Sequence, residues 1–216
     1  MKTPRGYVIS RVITPATSLA LMTLDQAKAA LGIDPADTSQ DVAIQQEIDA
    51  VSAAINNYCD RVFVRQTYRD QIRAICSWLP TGQPIETQQW PIPLDDTGAP
   101  VLAVTEDTVP LDPTLWEAEV GTGSIYRLDT TAMIYAWSAQ VILLDYDAGY
   151  DVIPPDVQGA ALEYLTSRWA SRGRDPALRR ENIPDVIQQD WYTDATTPSM
   201  SSTVRDWLAP YVKPYL

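Results

Sequence analysis

The sequence predicts an α+β protein. Its helical bundle has main helices over about residues 38–62 and 154–172, with a β-rich insertion (about 64–150) between them and extended N- and C-terminal arms. Three observations predict this. Ile44, Ile48, Val51, Ile55, Tyr58 and Val62 are spaced four, three, four, three and four residues apart, one continuous helical face. From Val64 the period becomes two: Val64, Tyr68, Ile72, Ala74, Cys76 and Trp78 alternate with Arg65, Thr67, Arg69, Gln71 and Arg73, as in a strand with one buried and one arginine-rich face. Beyond 150 the helical period returns in Val157, Ala161, Leu165 and Trp169.

Taken in order, residues 1–22 form an N-terminal arm carrying Lys2, Arg5 and Arg11 and no acid. Thr23-Leu24-Asp25-Gln26 is a capping box, in which the threonine oxygen and the glutamine each satisfy a free amide. The short helix it opens, through Ala27 and Leu31, stops at Gly32, with Pro35 soon after. The second helix begins near Thr38 or Ser39. Inside the insertion, prolines from Pro80 to Pro113 punctuate short segments. Asp95–Gly98 and Val120–Ile125 are expected as turns, and Ser138–Tyr146 as a buried strand. Pro154-Pro155 suits the first turn of the next helix, which Gly173 and Pro176 end. A further short helix is expected after Pro184, carrying Val186 and Ile187. The domain reading is thus an arm (1–22), a single domain (23–192) with the insertion 64–150, and a linker with a docking tail (193–216).

That tail holds Trp207, Leu208, Pro210, Tyr211, Tyr215 and Leu216 behind a stretch of linker composition at 193–203. Aromatic and apolar residues need burial, so the tail requires a groove, on a partner or on its own domain.

Composition excludes more than it suggests. The chain has 216 residues, 45% hydrophobic and 20% charged, which is globular and not disordered. A formal net charge of −12 argues against a general nucleic-acid coat, which needs a basic footprint. There is no histidine, so no Ser-His-Asp or Cys-His pair and no histidine metal ligand exists. The two cysteines, Cys59 and Cys76, lie in apolar surroundings and are expected as buried free thiols. No apolar run reaches membrane-spanning length, and a soluble intracellular protein without a membrane partner is the expectation. Charge is segregated: residues 77–150 hold eleven acids and one base, Arg127. Arg168, Arg172, Arg174, Arg179 and Arg180 form a basic cluster suited to an inter-subunit or phosphate contact.

Motifs with chemical potential are weak. Asp95-Asp96-Thr97-Gly98-Ala99 contains the Asp-Thr-Gly-Ala string of retroviral-type aspartic proteases, with Asp96 as the would-be acid. Asp and Gly favour tight turns, and the downstream strand motif is not visible, so a hairpin turn is the reading. Asp145, Asp147 and Gly149 lack the later ligands of a calcium loop, and Gly121-Thr122-Gly123 lacks the third glycine of a dinucleotide site. No catalytic, cofactor-binding or metal-binding residue is assigned, and no cofactor is expected.

The strings TLDQAKAALGID and IQQEIDAVSAAINNYCDRVF resemble the N-terminal helices of the phage head–tail connector (adaptor) family of long-tailed phages and phage-derived particles. The later stretch through Tyr146-Asp147-Ala148-Gly149-Tyr150 and Ile153-Pro154 is similar to that family's second half, and Trp207-Leu208-Ala209-Pro210-Tyr211 to its ending. The resemblance covers roughly residues 22–212; the arm (1–21) and the proline-rich 77–115 stretch match nothing in it. It implies a non-enzymatic structural virion protein at the virion neck, assembled in the host cytoplasm. The implied form is a ring, usually of twelve subunits, between the portal protein and a stopper or tail-terminator protein, through which double-stranded DNA passes. The aromatic tail would then anchor to the portal. The competing readings are another neck component (stopper or tail-completion protein), an aspartate-dependent hydrolase using Asp96, and a free-standing cellular interaction module.

Overall fold

The computed structural model describes residues 7–73, 82–172, 180–183, 187–190 and 200–212, with the side chains of Tyr7 and of 180–190 left aside. The chain is mixed α+β, as the sequence predicts. It divides into two compact units: one draws on residues 1–19 and 61–153, the other on 20–60 and 154–216.

The second unit is helical. Helix α1 (Leu24–Leu31) starts at Thr23, whose hydroxyl accepts from the Gln26 amide while the Gln26 side chain accepts from the Thr23 amide. It ends at Gly32 in the left-handed region, φ 69°. Helix α2 (Asp41–Cys59) buries Ile44, Ile48, Val51 and Ile55 completely. The predicted stripe continues to Tyr58 and Val62, but the helix ends at Cys59, where Asp60 turns left-handed at φ 51°; Tyr58 is 39% exposed and Cys59 is buried instead. Helix α3 (Pro155–Ala170) opens on two prolines and buries Val157, Ala160, Ala161, Tyr164 and Leu165. Helix α4 (Ser202–Leu208) packs on α3, capped by the Ser201 hydroxyl.

The first unit is β-rich. Its strands are β1 (Tyr7–Thr14), β2 (Gln66–Arg73), β3 (Ile85–Glu86), β4 (Leu102–Glu106), β5 (Val109–Pro110), β6 (Trp116–Glu119), β7 (Ser124–Leu128), β8 (Ile134–Tyr135) and β9 (Val141–Ala148). One antiparallel sheet has the order β1-β2-β9-β4-β5; a second has β3-β7-β6, with β8 on β7. A single core joins side chains of both sheets, among them Ile72, Val104, Ile125, Ile142, Leu144 and Tyr146. The basic arm is therefore in part an edge strand: Tyr7–Thr14 pairs with β2, with Ile13 as a bulge.

One prediction fails. The short helix expected after Pro184 is not formed at Ile187, which opens β11 (Ile187–Asp190), paired antiparallel with β10 (Arg180–Ile183); Val186 lies outside the described residues. A helix of so few residues has no turns to offset its nucleation cost, whereas Ile183 and Ile187 are in register across a short connection. No helix among the described residues is long and apolar enough to cross a membrane.

Candidate functional site

The residues that carry the sequence resemblance prove to be the ones that hold each unit together. Lys28, within the Ala-Lys-Ala-Ala-Leu stretch of α1, is only 2% exposed. Its Nζ donates to the carbonyls of Pro35 (3.2 Å) and Asp37 (2.9 Å) and lies 2.5 Å from Asp41 Oδ1. A buried ammonium must be surrounded by oxygen to survive desolvation. Here it gathers the α1–α2 connection and the first residue of α2 around itself.

The Tyr146–Tyr150 string does the same for the first unit. Tyr146 Oη donates to Asp70 Oδ2 at 2.7 Å, and Asp70, fully buried, also accepts from the Gln88 amide at 2.8 Å. Burial raises the Tyr146 hydroxyl far above the ordinary tyrosine range, with the Asp70 charge adding to it; Tyr68, stacked on Tyr146, is pushed up to about 12 for the same reasons. Gly149 has φ 107°, and a Cβ there would sit 2.7 Å from the Val64 carbonyl oxygen, so only glycine fits. Tyr150 pairs with Phe63 by an amide–carbonyl bond of 2.7 Å and stacks on its ring. The Arg61 guanidinium, 4% exposed, lies over the rings of Trp90 (4.6 Å), Phe63 (5.0 Å) and Tyr150 (5.5 Å) and donates to the Trp90 carbonyl.

Asp145 and Asp147, considered above for calcium, are occupied by arginines. Arg69 makes a bidentate pair with Asp145 (2.5 and 2.7 Å), and Arg65 bonds Asp147 (2.8 Å) and Asp151 (3.0 Å). The bond to Asp147 holds the Arg65 guanidinium above its ordinary value. Among the described residues no group of three or more Cys, Asp or Glu side chains is placed to hold a metal ion. In the Asp-Thr-Gly-Ala string, the hairpin turn is what the structure shows. Asp95 accepts from the Thr97 hydroxyl (2.6 Å) and amide (2.8 Å) and from the Ala99 amide (3.0 Å). Those bonds, the Thr97 hydroxyl foremost, hold its carboxyl below the usual range. Asp96 beside it is exposed.

The predicted assembly residues are dispersed. Arg168 pairs with Glu47 at 2.9 Å, linking α3 to α2, and lies over the Tyr164 ring. Arg172 lies over Trp169 at 4.4 Å. Arg174 and Arg179 fall outside the described residues, and of Arg180 only the strand position is described. In the tail, Leu208 is fully buried and Tyr211 Oη donates to Asp156 at 2.8 Å, so this segment is docked on α3 of its own unit. The Trp207 ring covers Gly159, where a Cβ would meet it at 3.2 Å, yet Trp207 stays 42% exposed, and Pro210 is exposed. Tyr215 and Leu216 lie outside the described residues, as does Cys76; Cys59 is a buried free thiol. Lys28, Asp70 and Arg61 were not singled out by sequence reasoning; only Lys28, alone among Ala27, Ala29, Ala30 and Leu31, carried a signal, a single charge inside an apolar string.

The buried cations, the buried aspartate–tyrosine bond and the paired surface charges all serve the fold. Residues 21–87, spanning α1, α2, β2 and β3, match the family described as Phage gp6-like head-tail connector protein, which bears out the resemblance seen in the sequence. The fold is similar to a chain in the neck of an empty GTA particle computed with C6 symmetry, 14% identical, covering 92% of this chain and 94% of that one at TM-score 0.55. It is similar too to a chain in the neck of a native GTA particle computed with C12 symmetry (14% identical, 96% and 97% covered, TM-score 0.54). A third is a chain in the virion of a native gene transfer agent particle (17% identical, 82% and 89% covered, TM-score 0.52). The chain matches no curated protein.

Proposed function

We propose that this protein is a head–tail connector (adaptor), a non-enzymatic structural subunit of the virion neck. The observation that carries the reading is the connector-family match over residues 21–87, which takes in α1 and α2, the helices that Lys28 and the Ile44–Ile55 face hold together. The similarity of nearly the whole fold to chains of particles with C6 and C12 neck symmetry supports a ring, with twelve copies as the expected number. On this reading the helical unit and its β-rich insertion act as one connector domain. The ring sits between the portal protein and a stopper or tail-terminator protein.

The acidic β-rich unit suits a channel through which double-stranded DNA passes. An acidic lining repels phosphate, by the same electrostatics that make basic surfaces retain it. The portal contact falls to the exposed side of the tail, Trp207 and Pro210, since Leu208 and Tyr211 are committed to α3. Electron microscopy of purified particles carrying a labelled copy of this subunit tests the reading. Density for the label is expected at the neck, in a ring; label found on the capsid or tail shaft, or absent from particles, defeats it. Undiminished portal binding by a Trp207→Ala chain removes the tail from the portal contact.

A further inference from the structure

The five-stranded sheet of the first unit has ends of opposite charge. At one end, Arg11 on β1 stands directly opposite Arg69 on β2. Like charges so placed repel, and the only acid in this cross-strand row, Asp145, is already taken by Arg69. Arg11 is exposed and has no anionic partner among the described residues. Beside it Val12 (49%) and the bulged Ile13 (51%) are exposed. The outer side of this eight-residue strand pairs with no other strand among the described residues. Such an edge is normally covered or blunted.

At the opposite end lie Asp107, in the turn between β4 and β5, and Asp112 just beyond β5. Both are exposed, and their carboxylates accept from backbone amides and, for Asp112, a threonine hydroxyl, leaving their charge unmatched. Glu106 has its own cation in Arg127 at 3.1 Å. Between the two aspartates, Val109 is 66% exposed and Pro110 is exposed. Proline has no amide to donate and β5 is only two residues long, so this end joins through side chains and not by extending the ladder.

We infer that the β1–β2 end of one copy packs against the β4–β5 end of the next. Arg11 faces Asp112 across the contact, with Val12 and Ile13 against Val109 and Pro110. The inference rests on the ring proposed above and names its subunit contact. Two different patches at opposite ends of one sheet make a head-to-tail contact, which repeats from copy to copy and closes into a ring; a two-fold dimer through β1 would set Arg11 against Arg11.

The test is site-directed cross-linking of the full chain in purified particles. The starting chain carries Cys76→Ser, and Ile13→Cys and Val109→Cys are added singly or together, both at exposed positions that tolerate substitution. A short bis-maleimide linker is expected to give a ladder of multimers from the double variant and monomers from either single variant. Dimers from Ile13→Cys alone, or rings visible in the neck whose double variant stays monomeric, overturn the contact while leaving the ring intact. Particles with no ring of this subunit overturn the ring reading itself. Separately, Arg11→Glu is expected to weaken ring formation about tenfold or more, and an unchanged ring yield counts against the contact.

Discussion

Replacing Lys28 by methionine tests the claim that a buried ammonium organises the helical unit. Methionine keeps the aliphatic stem and the packing volume, so the loss is confined to the charge and its bonds. In the native chain the ammonium serves the Pro35 and Asp37 carbonyls and the Asp41 carboxylate. Removing one partner of a fully buried pair costs about 3–5 kcal/mol. Asp41 is 27% exposed and regains water, which brings the expected loss to about 3 kcal/mol. For a chain of this length that lowers the melting temperature by roughly 6–12 °C. Asp41→Asn, which leaves both carbonyl bonds in place, is expected to cost about 1 kcal/mol. Lys28→Arg is not expected to rescue, because the planar fork is bulkier and differently aimed than three donors on one nitrogen. Urea unfolding followed by far-UV circular dichroism reads all three. A Lys28→Met midpoint within about 0.5 kcal/mol of the native one would refute the reasoning, since an ammonium that costs nothing to remove is solvated.

Four further outcomes are expected. Tyr68 and Tyr146 are both raised above the ordinary tyrosine value, so below about pH 10 they add no pH dependence. Above it the unfolded chain releases protons that the folded one retains, and stability falls as pH rises from about 10 to 12. In an absorbance titration at 295 nm, two tyrosines should then ionise only with unfolding; full ionisation at pH 11 with the fold intact contradicts this. Arg61→Lys is expected to lose about 1–2 kcal/mol in chemical denaturation, because an ammonium reaches one ring where the guanidinium plane lies over three. Leu208→Ala should cost about 2–4 kcal/mol and raise amide exchange in the Val204–Leu208 segment, as the fully buried side chain fixes α4 on α3. Arg69→Ala, which removes an exposed pair on the sheet face, should change stability by less than about 1 kcal/mol by the same unfolding measurement.

Much of the helical unit was legible because its signals are local. A capping box acts over four residues, a glycine terminator over one turn, and a helical face over its own period; Thr23, Gly32 and Ile44–Ile55 all stand where the pattern puts them. The turn at Asp95–Gly98 was legible for the same reason. Residues 7–14 were not legible as a strand, since their pairing partner β2 lies more than fifty residues along the chain. The hairpin of β10 and β11 was missed because a short apolar pair near a proline suits a turn of helix as well as a strand end.

Of the candidate assembly residues, sequence alone marked the tail as needing a groove but left open whose. The structure seats Leu208 and Tyr211 on α3 and leaves Trp207 and Pro210 outward. The sequence by itself determined the mixed α+β class, the connector resemblance and the absence of histidine chemistry, because composition, period and motif order need no partner in space. Only the tertiary structure decided which charges are buried and which are free. Asp70 and Arg69 are neighbours on one strand, yet one is sealed against Tyr146 and the other faces water. A charge's role depends on what lies across from it, and strand pairing sets that at long range.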